Sequence, residues 1–88
     1  MNNDVQNGKD HFVQVYWRPG CPHCDRLLRA LSTGKVDVIL HNIWEDDDAR
    51  EYVRAHNNGN ETVPTVAYNG RVLTNPTPTE VLRLVSDS

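Results

Sequence analysis

The sequence predicts an α/β domain with a four-stranded mixed β-sheet, in the order β-α-β-α-β-β-α. Two β-branched, apolar runs, residues 12–17 and 36–43, flank a segment with helical periodicity, which is typical of a βαβ unit with parallel strands. Farther along, Asn69-Gly70 separates two more β-like runs and predicts a tight antiparallel hairpin. Helices attached to such a sheet can cover both of its faces.

The first strand and helix surround the two cysteines. Phe12–Trp17 is a β-branched and aromatic run suited to a buried strand, and Pro19-Gly20 ends it. The helix is expected to begin near Cys21, because Pro22 suits a first turn, and to stop at Gly34 in a left-handed conformation. One of its faces carries residues at helical spacing: Cys24, Leu27, Leu28 and Leu31.

The second strand, Val36–Ile43, is expected to run parallel to the first. The acidic run Glu45–Asp48 leads into a second amphipathic helix that ends at Asn57–Gly59. Because the free N–H groups and the dipole of a helix start favour carboxylates, the acidic run predicts a helix cap and not a metal site.

The third strand is predicted over Thr62–Tyr68 and the fourth over Arg71–Leu73. Thr77 and Glu80 then flank Pro78 in the pattern of a capping box with proline at the first helical position. A third helix therefore closes the domain.

Composition indicates a single small domain. The chain has 88 residues, below the usual domain size of roughly 100–150, and we expect one domain over residues 11–88 after a disordered tail, residues 1–10. A net charge of −3 without a basic stripe argues against nucleic-acid binding. Neither an apolar span of about 20 residues nor a secretory signal is evident, so we expect a cytoplasmic protein that does not bind membranes.

The motif Cys21-Pro22-His23-Cys24 indicates redox chemistry or a metal. Cys21 lies at the helix start, which favours its thiolate, and we expect it to be the nucleophile. Cys24 should lie deeper and can resolve a mixed disulfide by forming the disulfide Cys21–Cys24. Pro22 stiffens the turn, and a protonated His23 would add positive charge beside the thiolate, unless its ring points into solvent.

A metal site is the competing interpretation, because Cys-x-x-Cys supplies half of many zinc sites. The histidines show no paired spacing that would supply the other half, so we expect no metal. They are His11, His23, His41 and His56, and the last two are expected to be structural.

Pro64 is the second candidate element of the site. In this order of elements the turn before the third strand lies beside the first helix start, and a cis proline there would leave the Val63 backbone free for an extended thiol ligand. A proline that only opens a strand is the alternative.

Residues 11–85 resemble the glutaredoxin-like proteins of the thioredoxin superfamily, and within them the mycoredoxins of mycothiol-using actinobacteria. The resemblance lies in Val15-Tyr16 ahead of the Cys-x-x-Cys motif, in residues 58–66 with Thr62-Val63-Pro64, and in Leu73-Thr74-Asn75-Pro76. It implies the thioredoxin/glutaredoxin fold. It also implies attack by Cys21 on mixed disulfides between proteins and a low-molecular-weight thiol.

The resemblance implies mycothiol, or a glutathione-like thiol, as co-substrate, with no tightly bound cofactor and a monomeric protein. Glutathione-binding relatives usually carry Gly-Gly and an acidic residue after the fourth strand, which are absent here. Mycothiol, a sugar-linked acetylcysteine, lacks glutathione's two carboxylates and needs fewer charged clamps. Arg18 occupies a position that is often basic in glutaredoxins and is expected to support the thiolate or touch the ligand, unless it is a solvated surface arginine. The implied thiol contacts are Tyr16, Thr62, Val63, Pro64, Thr74 and Asn75.

Two other functions stay open. One is a dithiol electron donor for a ribonucleotide reductase or peroxidase, recharged by thioredoxin reductase in place of mycothiol disulfide reductase, for which Cys24 is essential. The other is a non-enzymatic adaptor or iron–sulfur module, which Pro22 and Cys24 disfavour. The chain departs from the mycoredoxin pattern, which often has Trp before the first cysteine and Gly-Tyr between the two, by carrying Gly20 and Pro22-His23. A Pro-His pair also occurs in a strongly oxidising periplasmic protein, so substrate and direction are open.

Overall fold

The computed structural model describes residues 12–86 and has the predicted order of elements. The predicted tail, residues 1–10, lies outside the described residues. The strands are β1 (Val13–Trp17), β2 (Val38–Asn42), β3 (Thr65–Tyr68) and β4 (Arg71–Thr74). The helices are α1 (Pro22–Thr33), α2 (Asp47–His56) and α3 (Pro78–Ser86).

The four strands form one mixed sheet in the order β2-β1-β3-β4. β1 and β2 run parallel, with Trp17 opposite Asn42, whereas β3 is antiparallel to both β1 and β4. Thr65, the first residue of β3, is opposite Tyr16 on one side and Thr74 on the other. The ends of β1, β2 and β4 and the start of β3 therefore share one edge of the sheet, which we call the cysteine edge because α1 begins just after it.

Helices cover both faces of the sheet, as predicted. α1 and α3 bury one face, where the core consists of Val13, Val15, Leu27, Leu31, Val66, Tyr68 and Val81. α2 buries the other face, against Tyr16, Ile43, Ala49 and Val53. Successive strand residues point to opposite faces, which is why β1 is apolar at nearly every position. Within residues 12–86, no helix is long and apolar enough to cross a bilayer.

The predicted helix caps are confirmed. Asp46 Oδ1 accepts hydrogen bonds from the N–H groups of Asp48 at 3.0 Å and Ala49 at 3.2 Å, so the acidic run starts α2. At α3, the N–H of Glu80 donates to Thr77 Oγ1 at 3.2 Å and the N–H of Thr77 donates to Glu80 Oε1 at 2.8 Å. This reciprocal pair is a capping box.

The end of α1 differs from the prediction. Gly34 has a φ of −78°, and the left-handed residue is Lys35, with a φ of 59°. A Cβ at Gly34 would lie 3.2 Å from Leu82 Cδ2 of α3, closer than ordinary contact. Gly34 therefore lies where α3 packs closely against α1, a contact with a residue nearly fifty positions later in the chain.

The third strand is shorter than predicted, beginning at Thr65 and not at Thr62. Pro64 has no N–H for a strand ladder. In addition, Thr65 Oγ1 donates to the carbonyl of Thr62 at 2.7 Å, which folds residues 62–65 into a turn. The hairpin prediction is confirmed, since Asn69 and Gly70 have φ values of 51° and 82° and β3 pairs with β4.

Candidate active site

The two cysteines lie at the first turn of α1, next to the cysteine edge. Cys21 is the N-cap, with an extended backbone, and Pro22 occupies the first helical position. The Cys21 Sγ accepts a hydrogen bond from the N–H of Cys24 at 3.2 Å. The sulfur thus occupies the position where a cap side chain satisfies the free N–H groups of a helix.

Cys24 is the more deeply buried of the pair, as predicted: it is fully buried, whereas Cys21 is 6% exposed. Burial raises the pKa of the Cys24 thiol to about 12, and its hydrogen bond with Cys21 acts in the same direction. A hydrogen bond from the Arg18 backbone opposes this rise. Cys24 is therefore a thiol at neutral pH and can donate its proton toward the Cys21 sulfur.

Arg18 and His23 flank the pair in different ways. Arg18 is half-buried, and its Nη1 donates to the carbonyl of Pro19 at 3.0 Å. His23 is also half-buried, with Nδ1 3.4 Å from Nη2 of Arg26. Because a guanidinium only donates, Nδ1 is the acceptor in this contact. The predicted redox tuning by His23 stays a prediction.

Pro64 follows a cis peptide bond, the isomer that the ligand hypothesis required. Its ring is fully buried, and its carbonyl accepts from the N–H of Asn75 at 2.8 Å. Val63 is half-buried, and within residues 12–86 neither its N–H nor its carbonyl has a hydrogen-bond partner. Because Thr65 is opposite Tyr16, these free backbone groups lie at the cysteine edge and are available to an extended ligand.

Asn57 organises this edge, a role that the sequence analysis did not assign. Its side chain is buried, and Nδ2 donates to the carbonyl of Val53 at 2.7 Å and to Thr65 Oγ1 at 3.3 Å. Its Oδ1 accepts from Thr74 Oγ1 at 2.6 Å. The only signal in the sequence was an asparagine at a helix end, which indicated a stop. The Thr74 hydroxyl, predicted to contact the thiol, is engaged in this network.

Tyr16 lies on the α2 face of the sheet, in a stack of four aromatic rings. Its ring centroid is 4.5 Å from that of His41 and 4.6 Å from that of Tyr52, and both pairs are nearly parallel. Tyr52 in turn contacts His56 at 4.3 Å. Burial raises the pKa of Tyr16 to about 12. The surroundings of Tyr16 are those of a core residue, and its predicted contact with the thiol stays a prediction.

Trp44 is a second residue that the sequence analysis left without a role. It follows β2 at the cysteine edge and is 58% exposed. The guanidinium carbon of Arg18 lies 5.6 Å from the centroid of its ring, within the range of a cation–π interaction. In the described part of the chain, no group of three His, Cys, Asp or Glu side chains could hold a metal ion.

The comparisons with known proteins agree on one family. The glutaredoxin family model matches residues 13–73. Mycoredoxin 1 of Corynebacterium glutamicum is 39% identical over 71 residues, which cover 80% of this chain and 87% of that protein. A candidate glutaredoxin of Mycobacterium tuberculosis is 38% identical over 70 residues, covering 78% of this chain and 83% of that one.

Solved structures show the same fold. A glutaredoxin of Archaeoglobus fulgidus superposes with a TM-score of 0.71 at 22% identity, over 97% of this chain and 96% of its own. Glutaredoxin C1 of Populus tremula x tremuloides, in its holo form, gives 0.66 at 23% identity, over 96% and 98% of the two chains. The predicted thioredoxin/glutaredoxin fold is thereby confirmed.

Proposed function

Because the chain belongs to the glutaredoxin family and is thus a thiol–disulfide oxidoreductase, we propose that it reduces mixed disulfides between proteins and mycothiol by a cycle that needs only Cys21. The observation that carries this proposal is the burial of Cys24, which keeps its thiol protonated. The likeness to a protein named mycoredoxin supports mycothiol as the thiol. Mycothiol would act as co-substrate, without a tightly bound cofactor.

The cycle has two thiol–disulfide exchanges. In the first, the Cys21 thiolate attacks the mycothiol sulfur of the mixed disulfide, and the cysteine sulfur of the substrate protein leaves and takes up a proton. In the second, the thiolate of another mycothiol attacks the same sulfur, which releases mycothiol disulfide and restores the Cys21 thiolate. In the net reaction the mixed disulfide and one mycothiol become a protein thiol and mycothiol disulfide, so mycothiol is the reductant. Mycothiol disulfide reductase would return them to the thiol form in the cytoplasm.

Cys24 is poorly suited to interrupt this cycle. Burial raises the pKa of Cys24 to about 12, so its thiol is almost entirely protonated at pH 7. Burial is the largest cause of the raised pKa, and burial persists when Cys21 carries a ligand. Intramolecular attack on a mixed disulfide at Cys21 is therefore slow, which leaves time for a second mycothiol to arrive.

The loop before β3 would hold the thiol ligand. The free N–H and carbonyl of Val63 can pair with the amide of an acetylcysteine moiety in the manner of an added strand. The segment after β4 supports that loop, since the Asn75 N–H bonds the Pro64 carbonyl. We propose that Thr62, Val63 and Pro64 contact the ligand, and that Thr74 and Asn75 act mainly by holding this loop.

A dithiol electron donor is the second candidate function, because Cys24 and Cys21 share a hydrogen bond within one helical turn. In that function Cys24 would have to complete a disulfide with Cys21, and thioredoxin reductase would reduce it.

The test measures reduction of a mycothiolated protein in two coupled assays, one with mycothiol and its reductase and one with thioredoxin reductase and NADPH. We expect turnover in the first assay, and we expect Cys24→Ser to retain most of it. Loss of all activity in Cys24→Ser, or turnover with thioredoxin reductase alone, would overturn the one-cysteine cycle in favour of the dithiol donor. Activity in neither assay would favour the non-enzymatic adaptor.

A further inference from the structure

The indole of Trp44 is exposed to solvent and is not part of the packed core. It is 58% exposed, and Leu40 at 52% is the other large apolar side chain left in solvent among residues 12–86. Burying a tryptophan is favourable, and tryptophan is enriched among the residues that contribute most to binding interfaces.

The backbone holds Trp44 in a fixed place at the cysteine edge. The backbone N–H of Trp44 donates to Asn42 Oδ1 at 2.9 Å. The backbone N–H of the preceding Ile43 donates to the Trp17 carbonyl at 2.9 Å. The turn that carries the indole is therefore tied to the last residues of both β1 and β2. A rigid support of this kind reduces the entropy lost when a ligand binds.

Arg18 connects the indole with the cysteines. Its guanidinium carbon lies 5.6 Å from the Trp44 ring centroid. A Cβ at Gly20, the residue before Cys21, would lie 3.9 Å from Arg18 Nη1, so the guanidinium also borders the approach to the nucleophile. The Arg18 guanidinium thus lies beside both the Trp44 ring and the residue that precedes Cys21.

The residues that follow Trp44 carry negative charge, which favours some ligands over others. Glu45 and Asp46, directly after Trp44, are exposed, and Asp47 and Asp48 continue the run. A ligand with two carboxylates would be repelled there, whereas an uncharged polyol would not. The apolar face of a sugar ring can lie on an indole while its hydroxyls accept hydrogen bonds from a guanidinium.

We propose that Trp44, backed by Arg18, is the specificity-determining platform for the sugar part of the low-molecular-weight thiol. The proposal rests on the proposed function and deepens it by naming the residues that distinguish a glycosylated thiol from a sugar-free one. The sugar ring stacks on the indole while the cysteinyl sulfur reaches Cys21 and the acetylcysteine amide pairs with Val63.

The test compares two mixed disulfides that share a leaving group, mycothiol–cysteamine and N-acetylcysteine–cysteamine. The chemistry at Cys21 is the same for both, so the ratio of their kcat/KM values reports recognition of the sugar. We expect Trp44→Ala to lower this ratio about tenfold, and Trp44→Tyr to restore part of it. Leu40→Ala, which removes the other exposed apolar side chain, is the matched control and should leave the ratio unchanged.

A binding measurement without turnover accompanies it. S-methyl mycothiol, titrated into the Cys21→Ser protein, should shift the indole Nε1–H resonance of Trp44 far more than that of Trp17, and S-methyl N-acetylcysteine should not. A ratio that Trp44→Ala leaves unchanged would overturn the platform while the mycothiol cycle stands. A wild-type protein that does not prefer mycothiol would overturn both proposals. If Trp44→Ala lowers kcat/KM only for mycothiolated proteins and leaves the ratio unchanged, the indole contacts the substrate protein and not the sugar, which would also overturn the platform.

Discussion

The hydroxyl of Thr74 donates a 2.6 Å hydrogen bond to the side-chain oxygen of Asn57, seventeen residues earlier in the chain. This bond joins the end of α2 to the end of β4. Through its amide, Asn57 also reaches Thr65, the first residue after Pro64. The loop that is proposed to bind the thiol is thus held from behind by a buried polar network.

Asn57→Ala should lower the free energy of unfolding by about 1–3 kcal/mol, because it leaves the buried polar groups of its partners unpaired. Urea denaturation followed by circular dichroism measures this loss. Asn60→Ala, at an exposed position in the same loop, is the control and should change stability little. Equal losses in the two variants would mean that the network does not stabilise the fold.

The alkylation rate of Cys24 should depend steeply on pH. In the Cys21→Ser protein, burial still raises the pKa of Cys24, so the thiolate fraction and the rate with iodoacetamide should rise about tenfold per pH unit from pH 7 to 10. Mass spectrometry of the alkylated protein measures the rate. A plateau below pH 9 would contradict a thiol kept protonated by burial.

His41 should make the protein less stable in mild acid. Burial lowers the pKa of His41, and the charge of Asp46 opposes this effect. As the pH falls through about 6.5, His41 is therefore protonated in the unfolded chain before it is protonated in the native protein. The free energy of unfolding should therefore fall between pH 7 and 5. His41→Phe, which keeps a ring against Tyr16, should show a smaller fall in urea titrations at the two pH values. An equally large fall in the His41→Phe protein would mean that other titratable groups cause the loss of stability.

Lys35→Gly should stabilise the protein by about 0.5–1 kcal/mol, since glycine adopts the φ of 59° without the cost that a Cβ imposes. Lys35→Ala keeps the Cβ and removes the charge, so it should give no such gain. Thermal or urea unfolding of the two variants separates backbone strain from charge. Equal stability of the two variants would exclude strain at Lys35 as a significant cost.

Features set by neighbouring residues were predictable from the sequence. The caps at Asp46 and Thr77, the Asn69-Gly70 turn and the place of Cys21 at a helix start each depend on a few adjacent residues. The cis state of Pro64 was anticipated only through family resemblance.

Features set by tertiary packing were not predictable. The bond between Asn57 and Thr74, the approach of Leu82 to Gly34 and the stacking of Arg18 on Trp44 join residues that are distant in sequence. The position of Tyr16 was also not predictable. The alternation of side chains along a strand places Tyr16 and Val15 on opposite faces of the sheet, but it does not say which helix covers each face.

Cys21 is both the cap of α1 and the proposed nucleophile, so folding and chemistry share one sulfur atom. The bond from the Cys24 N–H stabilises that sulfur best when it is negatively charged and less when it is bonded to a second sulfur. By a thermodynamic cycle, the difference between these two stabilisations lowers the stability of the enzyme–ligand adduct relative to the free thiolate. The hydrogen bond at the helix start therefore favours release of a ligand from Cys21 over its retention.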